Sequence, residues 1–546
     1  MVDGQIIVEE PEEAEPAPPA DAINGEDRRP LIRISEAHMH EQATRAERHL
    51  IRARVPFYER GGRIVRPISE RVAASGGRVT QTAALIEVDK VYLRDVMNRK
   101  IRWERHLRRE NQWIGTKAPM ELSETILARV GEWGISPIGG VISTPTIRPD
   151  GSILKTAGYD AATCLYLHMP LVLPYMPDKP TRKDGLAALA LLKGLLAAFP
   201  FVWGEKETKE RNGSLSVALS ALITPVVRGA MDVVPAHFAR APAAGTGKSY
   251  LFDIVAAIAL GHPCPVMAAG RDEAETEKRI GAKALAGHPV ICIDNVNGDL
   301  GGDALCQLIS QPICELRVLG YSKMLRVVNR FCVFGTGNNL RLVGDMTRRS
   351  LLCSLDARLE RPAERVFVGN PVAAVLANRG AYVAASLTLV RSYIAAGSPK
   401  KDGKPMNSFG EWSDRVRAAL IWLGEADPVD TLQTASEEDP ERQQLAAFLE
   451  ALSTEAGAVT GSSALATIDI IAKAQDTGGV GDKPRHPMLH AMVQQFNGFG
   501  GVNSRKLGKW LAENKHKMIG LSRLGAYWDT NKKVWKWFVE TPEAST

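Results

Sequence analysis

The chain has 546 residues, of which 45% are hydrophobic and 24% are charged. These proportions are typical of soluble globular proteins and exclude a disordered, collagenous or membrane class. The length excludes a small disulfide-stapled scaffold and predicts about three to four domains. The formal net charge of +6 is small for this length, so the distribution of charge along the chain is more informative than its sum.

The N-terminal segment, residues 1–34, is predicted to be a disordered acidic tail. Its first thirty residues carry nine acidic and two basic side chains, the reverse of the basic start of a signal peptide. No apolar run reaches the roughly 20 residues that a membrane span requires. The seven cysteines form no Cys-x-x-Cys pair and no metal-ligand cluster, which favours reduced thiols and a cytoplasmic location.

Residues 35–204 are predicted to form a mixed α/β domain. Helical spacing covers 35–54, and Gly61-Gly62 marks a hairpin turn after it. The basic stretch 91–110 is either a contact with nucleic acid or the solvated face of a helix, and both interpretations remain open.

Strands, loops and helices alternate between residues 205 and 396, which predicts an α/β nucleotide-binding core with further helices after it. Three apolar segments in this core are predicted strands that each end at a polar loop, namely 237–241, 290–293 and 331–334. A linker with a helical segment is predicted at 397–460, and a small basic domain at 461–546.

A glycine-rich loop joins the first of these strands to an apolar helix. The residues expected to bind nucleotide are Ala244, Gly245, Thr246, Gly247, Lys248, Ser249 and Tyr250. Glycines let the backbone approach a triphosphate, and amides at the helix N-terminus bind its charge. Lys248 is expected to reach the terminal phosphates, and Ser249 to ligate Mg²⁺. The segment is therefore a predicted P-loop for ATP, although Pro242 stands where the full pattern has glycine.

Polar residues that follow the later strands complete the predicted catalytic site. Asp294 comes after 290–293, where its carboxylate is expected to hold Mg²⁺ through the water shell of the ion. Asn338 comes after 331–334, and its amide is expected to orient the attacking water. Arg348 and Arg349 are expected either to reach the γ-phosphate of a neighbouring subunit or to form an internal salt bridge.

With these motifs the chain resembles the additional-strand P-loop ATPases related to AAA+ proteins, specifically superfamily 3 helicases and the primase-helicases of phages and mobile elements. The resemblance covers roughly 214–365 and implies a hexameric ring that hydrolyses ATP and draws single-stranded DNA through its pore. In that family a hairpin projects into the pore, and Tyr321 and Lys323 match its tip. Lys323 would bind phosphate and Tyr321 would stack on a base, with an ordinary surface turn as the alternative.

One departure from this family concerns the residue after Asp294. Many relatives have an acid there that polarises water, whereas this chain has Asn295, whose amide cannot take a proton. Hydrolysis then needs another base or is slow, and Asp294 itself, Glu277 and Asp299 are open alternatives. No Asp-x-Asp occurs in the chain, which argues against nucleotide polymerisation. The N-terminal part is instead expected to bind DNA, to organise the ring or to recruit a separate primase.

The segment 501–540 has nine basic and three acidic residues, an excess equal to that of the whole chain. Five aromatic residues interleave with this charge, namely Trp510, Tyr527, Trp528, Trp535 and Trp537. Arg505, Lys506 and Lys509 are therefore candidate DNA-binding residues. The alternative is a small core with a solvated basic face. The size of the segment is that of a winged-helix module.

The leading hypothesis is an ATP-dependent DNA helicase or translocase, a homo-hexamer that serves the replication of a prophage or mobile element. A nucleotide-switched DNA-binding protein with little ATP turnover, such as an origin binder or helicase loader, is the alternative that Pro242 and Asn295 motivate. A third hypothesis keeps the ring but replaces DNA with polypeptide, as in an ATP-driven protein remodeller.

Overall fold

The structure is a computed structural model, and it describes residues 27–74, 78–168, 171–270, 272–317, 324–365, 369–399, 403, 406–477, 483–498 and 501–541. The predicted hairpin tip with Tyr321 and Lys323, and most of the predicted tail, lie outside these residues. The chain divides into two compact units. The first comprises Met1–Phe57 and Glu87–Ile135, and the second comprises Tyr58–Ile86 and Ser136–Thr546. The predicted boundary at residue 204 therefore lies inside the second unit.

The first unit combines three helices with a three-stranded sheet. The helices are Met39–Arg52, Lys90–Lys100 and Met120–Ala128, and the strands are Leu31–Arg33, Arg102–Leu107 and Gln112–Thr116. Asp89 starts the second helix by accepting hydrogen bonds from the backbone amides of Val91 and Tyr92, both at 2.8 Å. The predicted tail 1–34 includes a strand, because Ile32 is buried and pairs with Trp103. The basic stretch 91–110 spans a helix and a strand, not one helix face.

Five parallel strands form the central sheet of the second unit. They are Ala236–Ala241 (β1), Val266–Ala268 (β2), Val290–Leu300 (β3), Cys332–Leu342 (β4) and Ser350–Ser354 (β5), in the spatial order β2-β3-β4-β1-β5. The helices that follow β1, β2 and β3 are Lys248–Ala259 (α1), Glu273–Leu285 (α2) and Asp303–Ser310 (α3). Phe238, Ile291 and Phe334 on neighbouring strands are fully buried, as expected for a parallel sheet that is covered on both faces.

The strands β3 and β4 continue beyond their predicted ends at residues 293 and 334. Their pairing is interrupted after Ile293 and resumes where Val296 pairs with Gly337. At the interruption Asn295 has a φ of +58°, a left-handed conformation that asparagine tolerates. Asp294 and Asn338 consequently lie within strands. They are nevertheless level with the carboxyl ends of the shorter strands, because they pair with the last residues of β2 and β1, respectively.

The remaining elements of the second unit come before and after the sheet strands along the chain. The strands are Tyr58–Arg60, Arg63–Ala74, Arg78–Glu87, Gly140–Ile142, Thr146–Ile147, Ile153–Leu154, Gly158–Asp160, Leu165–Leu167, Ile313–Arg317 and Met324–Val328. The helices are Arg182–Leu196, Gly213–Ile223, Pro371–Ala377, Arg379–Ala395, Gly410–Trp412, Ser413–Arg417, Ala418–Trp422 and Thr431–Glu437. Gly61-Gly62 form the predicted turn, between the first two of these strands, and both have positive φ. The last two strands pair in antiparallel fashion on either side of 318–323.

No single helix in the described ranges has the length and apolar composition needed to cross a membrane. Pro371–Ala377 and Arg379–Ala395 meet those criteria only when taken together, and they are bent by 93° with respect to each other.

The C-terminal module, residues 440–540, has its own hydrophobic core. Its helices are Pro440–Thr454, Thr467–Gln475, Pro487–Gln494 and Ser504–Glu513 (α4), and a short hairpin joins Asn497–Gly498 to Gly501–Val502. Its four-stranded sheet has the order Leu465–Ala466, Val534–Glu540, Ser522–Asp529, Met518–Ile519. The core contains Leu445, Phe448, Leu507 and Trp537. It therefore begins inside the segment that was predicted as linker and helix.

A buried histidine on β1 gives the second unit a predicted dependence of stability on pH. His237 hydrogen-bonds with Ser220 (Nε2 to Oγ, 2.9 Å), and burial lowers its pKa to about 3 because the charged imidazolium loses solvation. The unfolded chain takes up a proton near the ordinary histidine pKa of about 6.5. Stability is therefore complete above about pH 6.5 and declines by about 1.4 kcal/mol per pH unit as the pH falls towards the folded pKa.

We expect His237→Gln to reduce the slope of the unfolding free energy against pH below about pH 6.5. The reduction should be about 1.4 kcal/mol per pH unit, which corresponds to the uptake of one proton. The measurement is denaturant unfolding at a series of pH values. The exposed His40, changed to Gln in the same way, is the matched control. An unchanged slope in His237→Gln would contradict the prediction.

Candidate nucleotide site

The glycine-rich loop begins after β1 ends at Ala241 and finishes where α1 begins at Lys248. Gly245 and Gly247 have φ of +76° and +108°, in the region that side chains disfavour. A Cβ on Gly245 would also lie 2.8 Å from the Cβ of Ala363, so this position has no room for another residue. The local sequence therefore produces the tight strand-to-helix turn, with amides at the helix N-terminus directed towards an anion.

Lys248 links the loop to β4. Its Nζ donates hydrogen bonds to the carbonyl of Ala243 (3.1 Å) and to Oδ1 of Asn338 (2.7 Å). The residue is 8% exposed, and burial lowers the pKa of its ammonium, an effect that the nearby carboxylate of Asp294 partly opposes. The predicted phosphate-binding cation and the predicted water-orienting amide are thus in direct contact.

The carboxylate of Asp294 on β3 accepts hydrogen bonds from two hydroxyl groups. Ser249 donates to its Oδ1 at 3.0 Å, and Thr336 on β4 donates to the same oxygen. Thr336 also accepts a hydrogen bond from the backbone amide of Asn295 at 3.0 Å, so it fixes the turn of the backbone after Asp294. A serine hydroxyl and a carboxylate are the oxygen ligands that Mg²⁺ takes in phosphate sites, so these residues fit that ion.

A cavity of about 430 Å³ adjoins the loop on the side of Tyr250. Its wall includes Phe199, Asn370 and Pro371. The rings of Phe199 and Tyr250 are nearly parallel (20°) with centroids 6.4 Å apart, and Tyr250 donates a hydrogen bond from its hydroxyl to Oδ1 of Asn370 at 2.7 Å. An apolar wall with a few polar groups is typical of small-molecule sites. Sequence reasoning found Tyr250 but missed Phe199 and Asn370, which lie in segments without any motif.

Arg348 and Arg349 lie in a helical turn, Gly344–Arg348, and just after it, before β5. Both guanidinium groups pair with Asp345, and the contact from Arg349 measures 2.7 Å. These pairs lower the pKa of the Asp345 carboxyl, with the hydrogen bond from Arg348 as the largest cause. The side chain of Arg348 is 61% exposed, whereas that of Arg349 is 15% exposed. Within the described ranges, neither arginine contacts the Lys248 or Asp294 clusters.

The candidate DNA-binding residues are exposed on α4, namely Arg505, Lys506 and Lys509. This helix belongs to the C-terminal module, which has its own hydrophobic core. Trp528 and Trp535 are also exposed, and their rings meet edge to face with centroids 5.7 Å apart. The module thus presents cationic and aromatic side chains to solvent, the combination that single-stranded nucleic acid binds.

No family model and no curated protein matches this chain. The C-terminal region of NrS-1, in an apo form, is 12% identical over 83% of this chain and 100% of that chain, with a TM-score of 0.30. The SCCmec type IV Cch active helicase is 10% identical over 89% of this chain and 97% of that chain, with a TM-score of 0.33. The JCV helicase is 11% identical over 44% and 67%, respectively, with a TM-score of 0.18. Two of these three solved structures are of helicases.

Proposed function

We propose that this chain is an ATP-dependent DNA helicase or translocase with an additional-strand P-loop ATPase core of the AAA+ and superfamily 3 type. The observation that carries the proposal is the convergence of two contacts, from Lys248 to Asn338 and from Ser249 to Asp294. The strand β4, which carries Asn338, lies between the loop strand β1 and the acid strand β3. That strand order supports the assignment to the additional-strand class.

In the proposed reaction the loop amides and Lys248 bind the β- and γ-phosphates of ATP. Ser249 and Asp294 would hold Mg²⁺, whose charge neutralises the charge that develops on the phosphate oxygens. Asn338 orients the attacking water, and Arg348 of a neighbouring subunit stabilises the transferring phosphoryl group. The cavity beside Phe199 and Tyr250 takes the nucleotide base.

The proposed nucleic-acid partner is single-stranded DNA in the pore of a homo-hexamer, gripped by the Lys323 and Tyr321 hairpin. We propose that the C-terminal module is a winged-helix-like domain that binds DNA, with Arg505, Lys506 and Lys509 of α4 in contact with phosphates. The order of its helices and the pairing of its two long strands support this proposal. The protein would act in the cytoplasm, in replication of a prophage or mobile element, together with a separate primase.

A second candidate function follows from Asn295. Its side chain is exposed next to Asp294, and it supplies no carboxylate to the attacking water. A protein with this site that bound ATP and scarcely hydrolysed it would be a nucleotide-dependent switch on DNA, such as an origin binder or helicase loader.

Steady-state ATPase activity of the purified oligomer, with and without single-stranded DNA, tests the proposal. We expect measurable turnover that single-stranded DNA increases and that duplex DNA of the same length increases less. Tight ATP binding without turnover would contradict the helicase and support the switch. Turnover that DNA does not change would contradict both and favour a protein remodeller.

A further inference from the structure

A second cavity, of about 660 Å³, lies beside Asp294 and Asn295. The start of α2 forms its opposite wall, with Glu277 among the residues that line it. Asp294, one of the proposed Mg²⁺ ligands, is also among the lining residues, so a water bound in this cavity would lie near the proposed ion. The cavity therefore matters for hydrolysis, since Asn295 cannot accept a proton.

Five acidic residues line this cavity, and most of them already have partners. They are Asp272, Glu273, Glu277, Asp294 and Asp299. Asp294 accepts the hydroxyl hydrogen bonds of Ser249 and Thr336. Asp299 forms an ion pair with Arg341 at 2.8 Å, on the extended parts of β3 and β4. Two of the three bases left open by the sequence, Asp294 and Asp299, are thus already engaged.

The other two acids at the start of α2 also have structural roles. Asp272 caps the helix by accepting a hydrogen bond from the backbone amide of Glu275 at 2.8 Å. The carboxylate of Glu273 packs directly against Gly302. Within the part of the chain that the structure describes, neither the Glu273 nor the Glu277 carboxylate makes a hydrogen bond or ion pair. Glu273 is exposed at the first residue of α2, whereas Glu277 is half-buried one turn later. Glu277 is therefore the acid of this cavity that is both unpaired and partly shielded from solvent.

The position of Glu277 is fixed by the packing of its helix. Arg279 donates a hydrogen bond to the carbonyl of Ala268 at 3.0 Å, and Ile280 is fully buried. Ala268 is the last residue of β2 and pairs with Asp294. The first turns of α2 are thus held to the strand end that is level with the site. The helix that carries Glu277 is thus anchored to the strand that pairs with Asp294.

We infer that Glu277 is the general base for ATP hydrolysis, an inference that rests on the proposed ATPase function. The water oxygen bonds to the γ-phosphorus, and the bond from that phosphorus to the β–γ bridging oxygen breaks. The electron pair of that bond leaves with ADP. The proton of the water moves to the Glu277 carboxylate, which the Asn295 amide cannot replace.

The test compares wild-type protein with Glu277→Gln and with the matched control Glu273→Gln, which removes a charge from the preceding turn of the same helix. We expect Glu277→Gln to lower kcat for ATP by about 10²- to 10⁴-fold while the Kd for ATP stays near the wild-type value. Glu273→Gln is expected to keep wild-type kcat. Adding Asn295→Asp to Glu277→Gln is expected to restore turnover, because aspartate tolerates the left-handed backbone there and returns a carboxylate.

Unchanged kcat in Glu277→Gln would overturn the inference and leave the proposed function intact. An equal loss in both single variants, or a loss in Glu277→Gln together with lost ATP binding, would overturn it as well, because either result marks a structural role. Loss of turnover that Asn295→Asp does not restore would also overturn it. Wild-type protein that binds ATP without turnover would overturn the proposed function itself.

Discussion

Lys248→Ala is expected to lower ATP turnover by about 10²- to 10³-fold, the range for loss of one preorganised donor at a developing charge. The ammonium lies 2.7 Å from Oδ1 of Asn338, so it is at the point where the loop and β4 meet. It is almost buried, and a charge in such a place acts more strongly than one in water. The measurement is kcat at saturating ATP, together with the Kd for ATP.

The matched control for this variant is Lys206→Ala, because Lys206 is an exposed lysine outside the site. It is expected to keep both the turnover and the thermal stability of the wild type. Wild-type kcat in Lys248→Ala would contradict the assignment of the loop as a phosphate site. Removal of Mg²⁺ by a chelator should abolish turnover in the wild type as well, because Ser249 and Asp294 would hold the ion whose charge neutralises the charge that develops on the phosphate oxygens.

The central part of the site was predictable because each element carries a local signal. The loop is specified by Gly245 and Gly247, whose positive φ no other residue adopts as easily. Asp294 and Asn338 follow apolar segments, and parallel strands bring such positions to the same edge of a sheet. No single segment of the sequence determines the order of the strands in the sheet. The contact between Lys248 and Asn338 depends on that order, because it requires β1 and β4 to be neighbours.

Other features were missed for physical reasons. The polar run after Asp294 is typical of a loop, yet it forms the second half of β3, since pairing with β4 satisfies its backbone. Phe199 and Asn370 meet at Tyr250 only through the tertiary fold. The segment 397–460 was predicted as a linker with a helical segment, and the helical spacing of Leu445 and Phe448 did not indicate that Pro440–Thr454 packs into the C-terminal core.

The exposure of the two arginines after β4 separates their proposed roles. Arg348 is the better candidate to reach a neighbouring subunit, because its exposed guanidinium can exchange Asp345 for a phosphate without leaving an unpaired charge buried. Arg349 is largely enclosed with Asp345, so its loss is expected to lower stability more than turnover. Arg348→Ala is expected to lower kcat by about 10³-fold or more, the range for an arginine supplied in trans.

Mixed oligomers distinguish an arginine that acts in trans from one that acts within its own subunit. Lys248→Ala and Arg348→Ala proteins are each expected to be nearly inactive alone. In a mixed oligomer of the proposed kind, an Arg348→Ala subunit would supply Lys248 and an adjacent Lys248→Ala subunit would supply Arg348, so some interfaces would be complete. We therefore expect turnover to recover on mixing, measured after exchange of subunits, whereas Arg349→Ala alone should retain more turnover than Arg348→Ala. Absence of recovery would contradict the trans role, because two residues of one chain that act on the same nucleotide cannot complement each other between subunits.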